Sequence, residues 1–432
     1  MPILGTVSSS YNVPEQLLYY AGIYNNFTYF FLYGIGLDSS NLPYLVGTSY
    51  DAATTTQGVV AKFTNQLSNT WQKSLEPASG NGNFNSVSID SSGNVYVVGY
   101  VDAGLAVATF AKYNSSGTLQ WQRKISSSGQ TDFSPGVLDS SGNLYAGGRM
   151  NFGGSVAGGS DLMCTVKYNS SGAIQWQRYI GPDSSSFAKT EAIVFDSANS
   201  MVYSIGTGMS YEGIIAKYNT SGTLQWRRRL KKTGGNGIYW GSGTLDSGGN
   251  VYAGGYDLDN SDGYIAKYDS SGTIQWQRKI ATASALKITS DSSDNLYVWS
   301  NSLKTLFKYN TSGSLTMQKT FTQSGLQSWS INEIKVDSTN GILYMAGYWR
   351  YNSIYTGFAF QYPTSMPNKT LTLPAQGGSS TITVASGSYT DAAGVATADS
   401  YTTAFTGTAT GTEAVNNLSD IAGGQTMISG TL

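Results

Sequence analysis

The chain has 432 residues, a formal net charge of −1 and only 12% charged residues, with 52 glycines and 31 tyrosines. A net charge so close to zero creates no long-range field for nucleic acid or an anionic membrane, so we expect neither as a partner. Histidine is absent, which excludes Ser-His-Asp and Cys-His catalytic arrangements and the usual zinc ligand sets. Abundant aromatic residues and glycine favour strands joined by tight turns.

The N-terminal segment, MPILGTVSSSYNVPEQ, contains no basic residue, and Lys62 is the first lysine or arginine of the chain. A secretory signal has a positive region before its apolar stretch, and apolar runs such as 29–34 are too short to span a bilayer. We therefore expect a soluble chain, made without classical export and without membrane insertion. Cys164 is the only cysteine, so no intrachain disulfide can form.

After a non-repeat segment, 1–15, which we interpret as an attachment segment, two markers recur at a period of about fifty residues. The first is a lysine followed by an aromatic residue, with tryptophan nine residues after the lysine, as in AKYNSSGTLQWQRKI at 111–125. The sixth copy has Met317 instead of tryptophan, and the seventh reads Gln361-Tyr362. The second marker is Asp-Ser-Ser-Gly-Asn-x-Tyr, and its leading aspartates are Asp38, Asp90, Asp139, Asp196, Asp246, Asp291 and Asp337. Two markers that each occur seven times predict seven units.

Each unit has the pattern of four strands, as the second unit illustrates. Its strands are predicted at 87–89, 95–98, 107–113 and 118–125, with turns at the SSGN and NSSG sequences. In the last strand, alternate residues give one apolar face that a single unit cannot cover. Seven units stacked radially and closed into a ring would cover it.

The combined pattern of DSSGNxYxxG and KYxSSGxxxW resembles the bacterial seven-bladed β-propeller repeat family, in the style of NHL-repeat propellers. The resemblance covers about residues 20–374 and implies an all-β fold, a seven-bladed β-propeller of four-stranded antiparallel blades, which we place at 16–374. It implies no activity, because propellers have many unrelated functions. Either KTLTLP at 369–374 or an N-terminal strand near 16–22 completes the seventh blade.

Residues 375–432 leave the repeat, contain no lysine or arginine and are rich in Ser, Thr and Gly. We interpret them as a β-rich C-terminal extension or docking tail. In composition, the two ends resemble structural proteins of tailed bacteriophages of marine bacteria. This resemblance implies a virion protein of a phage tail or fibre whose termini contact other virion subunits.

Because the short turns share one face of the ring, the long loops lie on the other face, where recognition usually occurs. Aromatic residues beside Asn, Ser and Gln in these loops suit stacking on a sugar ring, which makes a host glycan a candidate partner. The ligand-binding candidates are Phe84, Phe133, Phe187, Tyr239, Trp240 and Trp329. Three of them, Phe84, Phe133 and Trp240, lie six residues before the aspartate of their unit, and this shared register favours packing instead.

Other conspicuous residues have structural interpretations. The tryptophans of the fourth strands, with basic residues two positions later, are expected to pack between blades with cation–π support, and the aspartates of DSSGN are expected to cap turns. Asp257, Asp259 and Asp262 resemble part of a calcium loop, but the distal glutamate is missing, which favours a solvated loop without metal. No P-loop or dinucleotide fingerprint occurs, and we expect no cofactor.

The sequence therefore favours a structural and adhesive virion protein that is not an enzyme and is assembled into a phage tail or fibre. Its loop face would meet a host-surface glycan or another subunit, including a second copy of the chain. An alternative is a propeller glycosidase or polysaccharide lyase with carboxylates at the channel mouth. Another alternative is a bacterial cell-surface protein that is exported by a non-classical route.

Overall fold

The structure is a computed structural model. It describes residues 6–8, 16–20, 29–50, 56–65, 67, 69–76, 80–102, 104–127, 129–151, 161–180, 187–208, 212–231, 237–351, 354–366, 369–375, 378–386, 391–393, 397–399 and 426–430. Over these ranges no helix is both long enough and apolar enough to cross a membrane.

The strands form seven antiparallel sheets, the blades, and in each blade chain order runs from the channel outward. Two strands precede blade one, β1 (Thr6–Ser8) and β2 (Gln16–Tyr20). Blade one has β3 (Tyr29–Leu37), β4 (Pro43–Tyr50), β5 (Thr56–Phe63) and β6 (Asn69–Glu76). Blade two has β7 (Asn81–Ile89), β8 (Val95–Asp102), β9 (Ala106–Tyr113) and β10 (Leu119–Ile125). Blade three has β11 (Thr131–Leu138), β12 (Leu144–Asn151), β13 (Asp161–Tyr168) and β14 (Ile174–Ile180).

The remaining blades repeat this order. Blade four has β15 (Lys189–Asp196), β16 (Met201–Gly208), β17 (Glu212–Asn219) and β18 (Leu224–Lys231). Blade five has β19 (Ile238–Leu245), β20 (Val251–Asp257), β21 (Gly263–Tyr268) and β22 (Ile274–Ile280). Blade six has β23 (Leu286–Ser290), β24 (Leu296–Ser300), β25 (Thr305–Tyr309) and β26 (Leu315–Ser324). Blade seven has β27 (Ser328–Asp337), β28 (Ile342–Tyr351) and β29 (Ile354–Pro363). The predicted seven-bladed propeller of four-stranded antiparallel blades is confirmed.

The N-terminal strand closes the ring. Strand β2 pairs with β29, with Leu17 opposite Phe360 and Tyr20 opposite Gly357, so it is the fourth strand of blade seven. The other predicted closing segment forms β30 (Lys369–Ala375), which instead pairs with β31 (Gly378–Ser386) on the outer edge of blade six. Three short strands add to the outer edges of blades five, four and one, namely β32 (Asp391–Ala393), β33 (Thr397–Asp399) and β34 (Thr426–Gly430).

The turn between the first two strands of a blade depends on its aspartate, as predicted. In blade two, Asp90 Oδ1 accepts hydrogen bonds from the backbone N–H groups of Ser92 at 3.0 Å and Asn94 at 2.9 Å. Gly93 has a φ of 78°, a left-handed conformation that glycine adopts without strain. The Asp-Ser-Ser-Gly-Asn sequence is therefore a local turn signal.

The tryptophans and arginines of the fourth strands hold neighbouring blades together. Trp176 Nε1 donates to the carbonyl oxygen of Thr220 in the next blade at 3.0 Å, and Arg178 Nε donates to Gly222 of the same turn at 2.6 Å. The Arg178 guanidinium also lies 5.5 Å from the centre of the Trp176 ring. The same three contacts occur at Trp121 with Arg123, Trp226 with Arg228 and Trp276 with Arg278. The predicted interblade packing with cation–π support is confirmed.

Candidate functional site

The first strands of the seven blades surround a central channel with a volume of about 650 Å³. Its wall includes Tyr33, Asn85, Glu191, Asn332 and Glu333 among lysine, serine, threonine, glycine and apolar residues. The loop face, where the long connections lie, forms one end of this channel, and the Asp-Ser-Ser-Gly turns form the other.

A β-bulge interrupts the pairing of the first strand in six blades. In blade two the register shifts between Phe84 and Ser86, so Asn85 is the extra residue that faces the channel. The shift occurs at corresponding places in the other five strands, around Tyr33, Ser134-Pro135, Glu191, Gly241 and Asn332. Bulges redirect side chains and are frequent next to functional sites. Here the bulges direct side chains of different chemistry into the channel from equivalent positions in six blades.

The glycine of the DSSGNxYxxG pattern makes each bulge sterically possible. Gly99 lies opposite Phe84, and a Cβ atom there would be 1.8 Å from the backbone oxygen of Asn83. The same conflict, at 1.8 to 2.1 Å, would arise at Gly47, Gly148, Gly206, Gly255 and Gly347. Strand β23, which is described over its whole length, has no register shift, and Ser300 takes the glycine's place opposite Leu286. The pattern glycine and the bulge therefore occur together.

Amide side chains connect the bulges of adjacent blades. Asn85 Nδ2 donates to the Phe133 carbonyl oxygen of the next blade at 3.2 Å, and Asn332 Nδ2 donates to Leu32 at 2.7 Å. In blade six, whose first strand has no bulge, Asn301 directly after β24 donates to the carbonyl oxygen of Ile331 at 2.6 Å. These bonds satisfy carbonyl groups of the adjacent first strands and fix the positions of neighbouring blades relative to each other.

A charged network spans blades three to five near the loop-face end of the channel. Asp132, which is 6% exposed, pairs with Arg149 of its own blade, and its other oxygen lies 3.2 Å from Lys189 Nζ of blade four. Lys189 Nζ also lies 3.8 Å from Glu191, and the hydroxyl of Tyr239 in blade five donates to the Glu191 carboxylate. The network therefore joins three blades through carboxylates on strands β11 and β15.

Burial and charge set the protonation of this network. Burial and then the Glu191 carboxylate raise the pKa of Tyr239 far above its ordinary value, so its hydroxyl remains a hydrogen-bond donor. Burial works to lower the pKa of Lys189, but the carboxylates of Glu191 and Asp132 outweigh it and raise that pKa. At neutral pH the rim thus offers a neutral phenol and a lysine ammonium beside two carboxyl side chains.

Glu333 is a second carboxyl group of the channel wall, on blade seven. Burial raises its pKa, and the positive charges of Lys287 and Lys335 offset only part of that effect. Its Oε1 accepts a hydrogen bond from the backbone N–H of Ile334 at 3.0 Å. A glutamic acid with a raised pKa is more often protonated near neutral pH than an exposed one, which suits a proton donor.

Four of the six predicted ligand-binding residues lie in the cores between blades. Phe84, Phe133, Trp240 and Trp329 are 0 to 4% exposed, which leaves no ring face for a ligand. The register shared by Phe84, Phe133 and Trp240 places them on the side of the strand that faces the neighbouring blade, as the packing interpretation expected. Phe187 and Tyr239 are half-buried at the loop face, and Phe187 lies 5.8 Å from the Arg149 guanidinium. Only these two remain available for the predicted stacking.

Sequence reasoning did not single out Asp132, Arg149, Lys189 or Glu191. The one available signal was a charged residue where other repeats have Tyr, Asn, Ser or Gly at the bulge, as Glu191 shows. Their proximity could not be predicted, because the network joins residues of three different blades.

The aspartates that resemble a calcium loop have structural partners. Asp257 is fully buried and accepts the backbone N–H of Asn260 at 2.8 Å, whereas Asp262 pairs with Lys279 at 2.6 Å. Within the described ranges, no group of three or more Asp, Glu, Cys or His side chains is placed to hold a metal ion.

Comparison with known proteins gives structural matches only. No family model matches the chain, and no curated protein matches it. Selenomethionine-substituted virginiamycin B lyase from Staphylococcus aureus matches with a TM-score of 0.51 and 12% identity, over 76% of this chain and 94% of that chain. A catalytically inactive variant of the same lyase with quinupristin matches with a TM-score of 0.52 and 12% identity, over 80% and 98%. The similarity is one of fold.

This match contradicts the prediction that the chain is not an enzyme. The prediction depended on missing catalytic residue sets, but two solved propellers that match this chain with TM-scores above 0.5 are structures of a lyase. At 12% identity the match assigns no reaction to this chain. The propeller part of the predicted resemblance is confirmed, while the NHL-like style and the phage-tail likeness stay predictions.

Proposed function

We propose that this propeller binds a glycan at the loop-face end of its channel. The observation that carries the proposal is the contact of Tyr239 with Glu191 beside Lys189 and Asp132. Sugars combine hydroxyl groups, which both donate and accept hydrogen bonds, with apolar ring faces. A rim of half-buried aromatic rings, carboxylates and an ammonium group matches both features. Asp132, Lys189, Glu191 and Tyr239 lie on strands, which position side chains more accurately than loops do.

In this proposal the propeller belongs to a surface structure, a phage tail or fibre, with a bacterial cell surface as the alternative location. Its termini would contact other subunits of that structure. The support is compositional, namely the absence of lysine and arginine from residues 375–432 and their richness in Ser, Thr and Gly. The neighbouring genes give the direct test, since tail genes support a virion location and secretion genes support a cell-surface one.

Glu191→Gln and Tyr239→Phe are each expected to weaken glycan binding at least tenfold. Glu191→Gln removes a charged acceptor at the rim, and Tyr239→Phe removes the hydroxyl that orients this acceptor. The expected loss follows because a hydrogen bond to a charged group contributes about 1.5 to 3 kcal/mol. A glycan array would identify an oligosaccharide, and titration calorimetry would measure the affinities. Thr118→Ala, an exposed side chain in a turn on the opposite face, is the matched control. The proposal fails if the array shows no glycan or if both rim variants bind as tightly as the control.

A second candidate function is cleavage of the bound glycan, and the raised pKa of Glu333 favours it. In this reaction Glu333 would give its proton to the leaving oxygen as the glycosidic C–O bond breaks. Glu191 would take a proton from the attacking water, whose oxygen bonds to the anomeric carbon. The matched lyase structure that is catalytically inactive carries a histidine-to-alanine substitution. Because this chain contains no histidine, chemistry that depends on such a residue does not transfer to it.

Glu333→Gln is expected to abolish cleavage while the glycan still binds. In the unaltered protein the rate should fall as pH rises through the raised pKa of Glu333, because only the protonated acid can donate. A reducing-sugar assay with host polysaccharide would measure both effects, and ultraviolet absorbance would reveal unsaturated products of a lyase. Binding without any cleavage product would eliminate this candidate.

A further inference from the structure

A continuous aromatic surface lies on the loop face across blades seven and one, on the other side of the channel from the charged network. We call it the tyrosine platform, and its members are Tyr29, Phe31, Tyr50, Tyr348 and Tyr355. Phe31 lies at its centre, 4.9 Å from both Tyr348 and Tyr355 and 6.0 Å from Tyr50, measured between ring centres. Tyr29 extends it, at 5.8 Å from Tyr50 and 5.7 Å from Tyr355. All five residues are half-buried, so none is fully enclosed by the protein.

Tyr33 connects the platform to the channel. Its ring stacks on Phe31 with a centre-to-centre distance of 6.3 Å and an angle of 8°. Tyr33 is also the bulge residue of strand β3 and part of the channel wall. A ligand bound at the channel mouth could therefore extend from Tyr33 onto the platform and stay in contact with the protein along its length.

The chemistry of the platform indicates which ligand it suits. Four of its five rings are tyrosines, which combine an apolar face with a hydroxyl group that can meet a sugar hydroxyl. Among the residues that the structure describes, the charged group in contact with a platform ring is the Arg350 guanidinium, 5.3 Å from the centre of the Tyr355 ring. In the described part of this surface one guanidinium lies beside five uncharged rings, which favours an uncharged ligand over a polyanion. It suits the apolar faces of uncharged sugar rings.

We propose that the tyrosine platform is an extended subsite for a neutral polysaccharide chain whose end or branch occupies the channel mouth. The inference depends on the proposed function and specifies its ligand as a long, uncharged glycan. The rings of Tyr33, Phe31, Tyr355, Tyr29 and Tyr50 form a series of contacting pairs, so the subsite accommodates several successive sugar units.

The test is the dependence of affinity on oligosaccharide length. A series of increasing length, built from the neutral glycan that scores highest on the array, would be titrated into the unaltered protein and into Tyr348→Ala and Tyr355→Ala. Affinity for the unaltered protein should rise with length, and each variant should lose about tenfold with the longest member and less than twofold with the shortest. Leu105→Ala is the control, because Leu105 is a 50% exposed apolar side chain of the same face outside the platform. Thermal unfolding would establish that the variants are folded.

Three outcomes would overturn the inference. If the shortest oligosaccharide binds and affinity does not depend on length, the channel-mouth site binds the glycan and the platform does not contribute. If light scattering shows that the unaltered protein dimerises and that Tyr348→Ala or Tyr355→Ala does not, the platform is assigned to a second copy of the chain. If no oligosaccharide of any length binds, the proposed function fails, and the inference fails with it.

Discussion

Gly255→Ala is expected to lower the free energy of unfolding by about 3 kcal/mol or more. A Cβ atom at Gly255 would lie 1.8 Å from the carbonyl oxygen of Tyr239 and 2.9 Å from the Cα of Trp240. Both atoms belong to the backbone of the bulged strand, so no side-chain rotation can relieve the conflict. Either strand β19 must separate from β20 or the bulge must be lost.

The matched control is Gly241→Ala in the same blade. A Cβ atom at Gly241 would meet only ring carbons of Tyr239, the nearest at 3.5 Å, which is an ordinary contact. We expect its effect to stay within about 1 kcal/mol of zero, since a tolerated Gly-to-Ala change also restricts the unfolded chain. Urea denaturation at equilibrium would measure both variants. Equal stability of the two variants would refute the proposed link between the pattern glycine and the bulge.

Trp176→Ala is expected to lower the free energy of unfolding by about 3 to 5 kcal/mol. The side chain is 8% exposed, packs near Tyr145 and Tyr218, and donates a hydrogen bond to the next blade. A Cβ atom on Gly222 would lie 2.8 Å from the indole ring, which shows how closely the two blades approach there. Truncation removes this packing, the hydrogen bond and the ring beneath Arg178 together.

Trp176→Phe separates the packing from the hydrogen bond. It keeps an aromatic ring but loses the N–H group, and we expect a loss of about 1 to 2 kcal/mol, clearly smaller than that of the alanine variant. Gln175→Ala, at the exposed neighbouring position, should change stability by less than about 0.5 kcal/mol. If the alanine and phenylalanine variants were equally stable, the ring itself would contribute nothing between blades.

The number of blades and their strands could be predicted because the signals are local and repeated. Asp90 and Gly93 define a turn within five residues, and Trp121 with Arg123 marks the strand that must meet a neighbouring blade. Ring closure could not be decided, since both terminal segments have strand-like sequences. Only pairing across the whole chain, between Leu17 and Phe360, distinguishes them.

The candidate site was much less predictable. Phe84, Phe133, Trp240 and Trp329 occur in loop-like sequences of Asn, Ser, Gly and Gln, but strand pairing turns them into the cores between blades. The bulge depends on contacts between two strands, and only the glycine at its partner position marks it in the sequence. Asp132 and Lys189 are 57 residues apart in sequence, and only the stacking of blades three and four places them 3.2 Å apart.

Hydrogen–deuterium exchange measured by mass spectrometry, with and without the highest-affinity array oligosaccharide, tests the central claim most directly. Binding at the loop-face end of the channel predicts slower exchange in peptides that cover 187–195, 237–243 and 29–34. Exchange in the opposite turns, at 114–118 and 169–173, should not change. Protection that appears at those turns and not at the channel rim would contradict the claim.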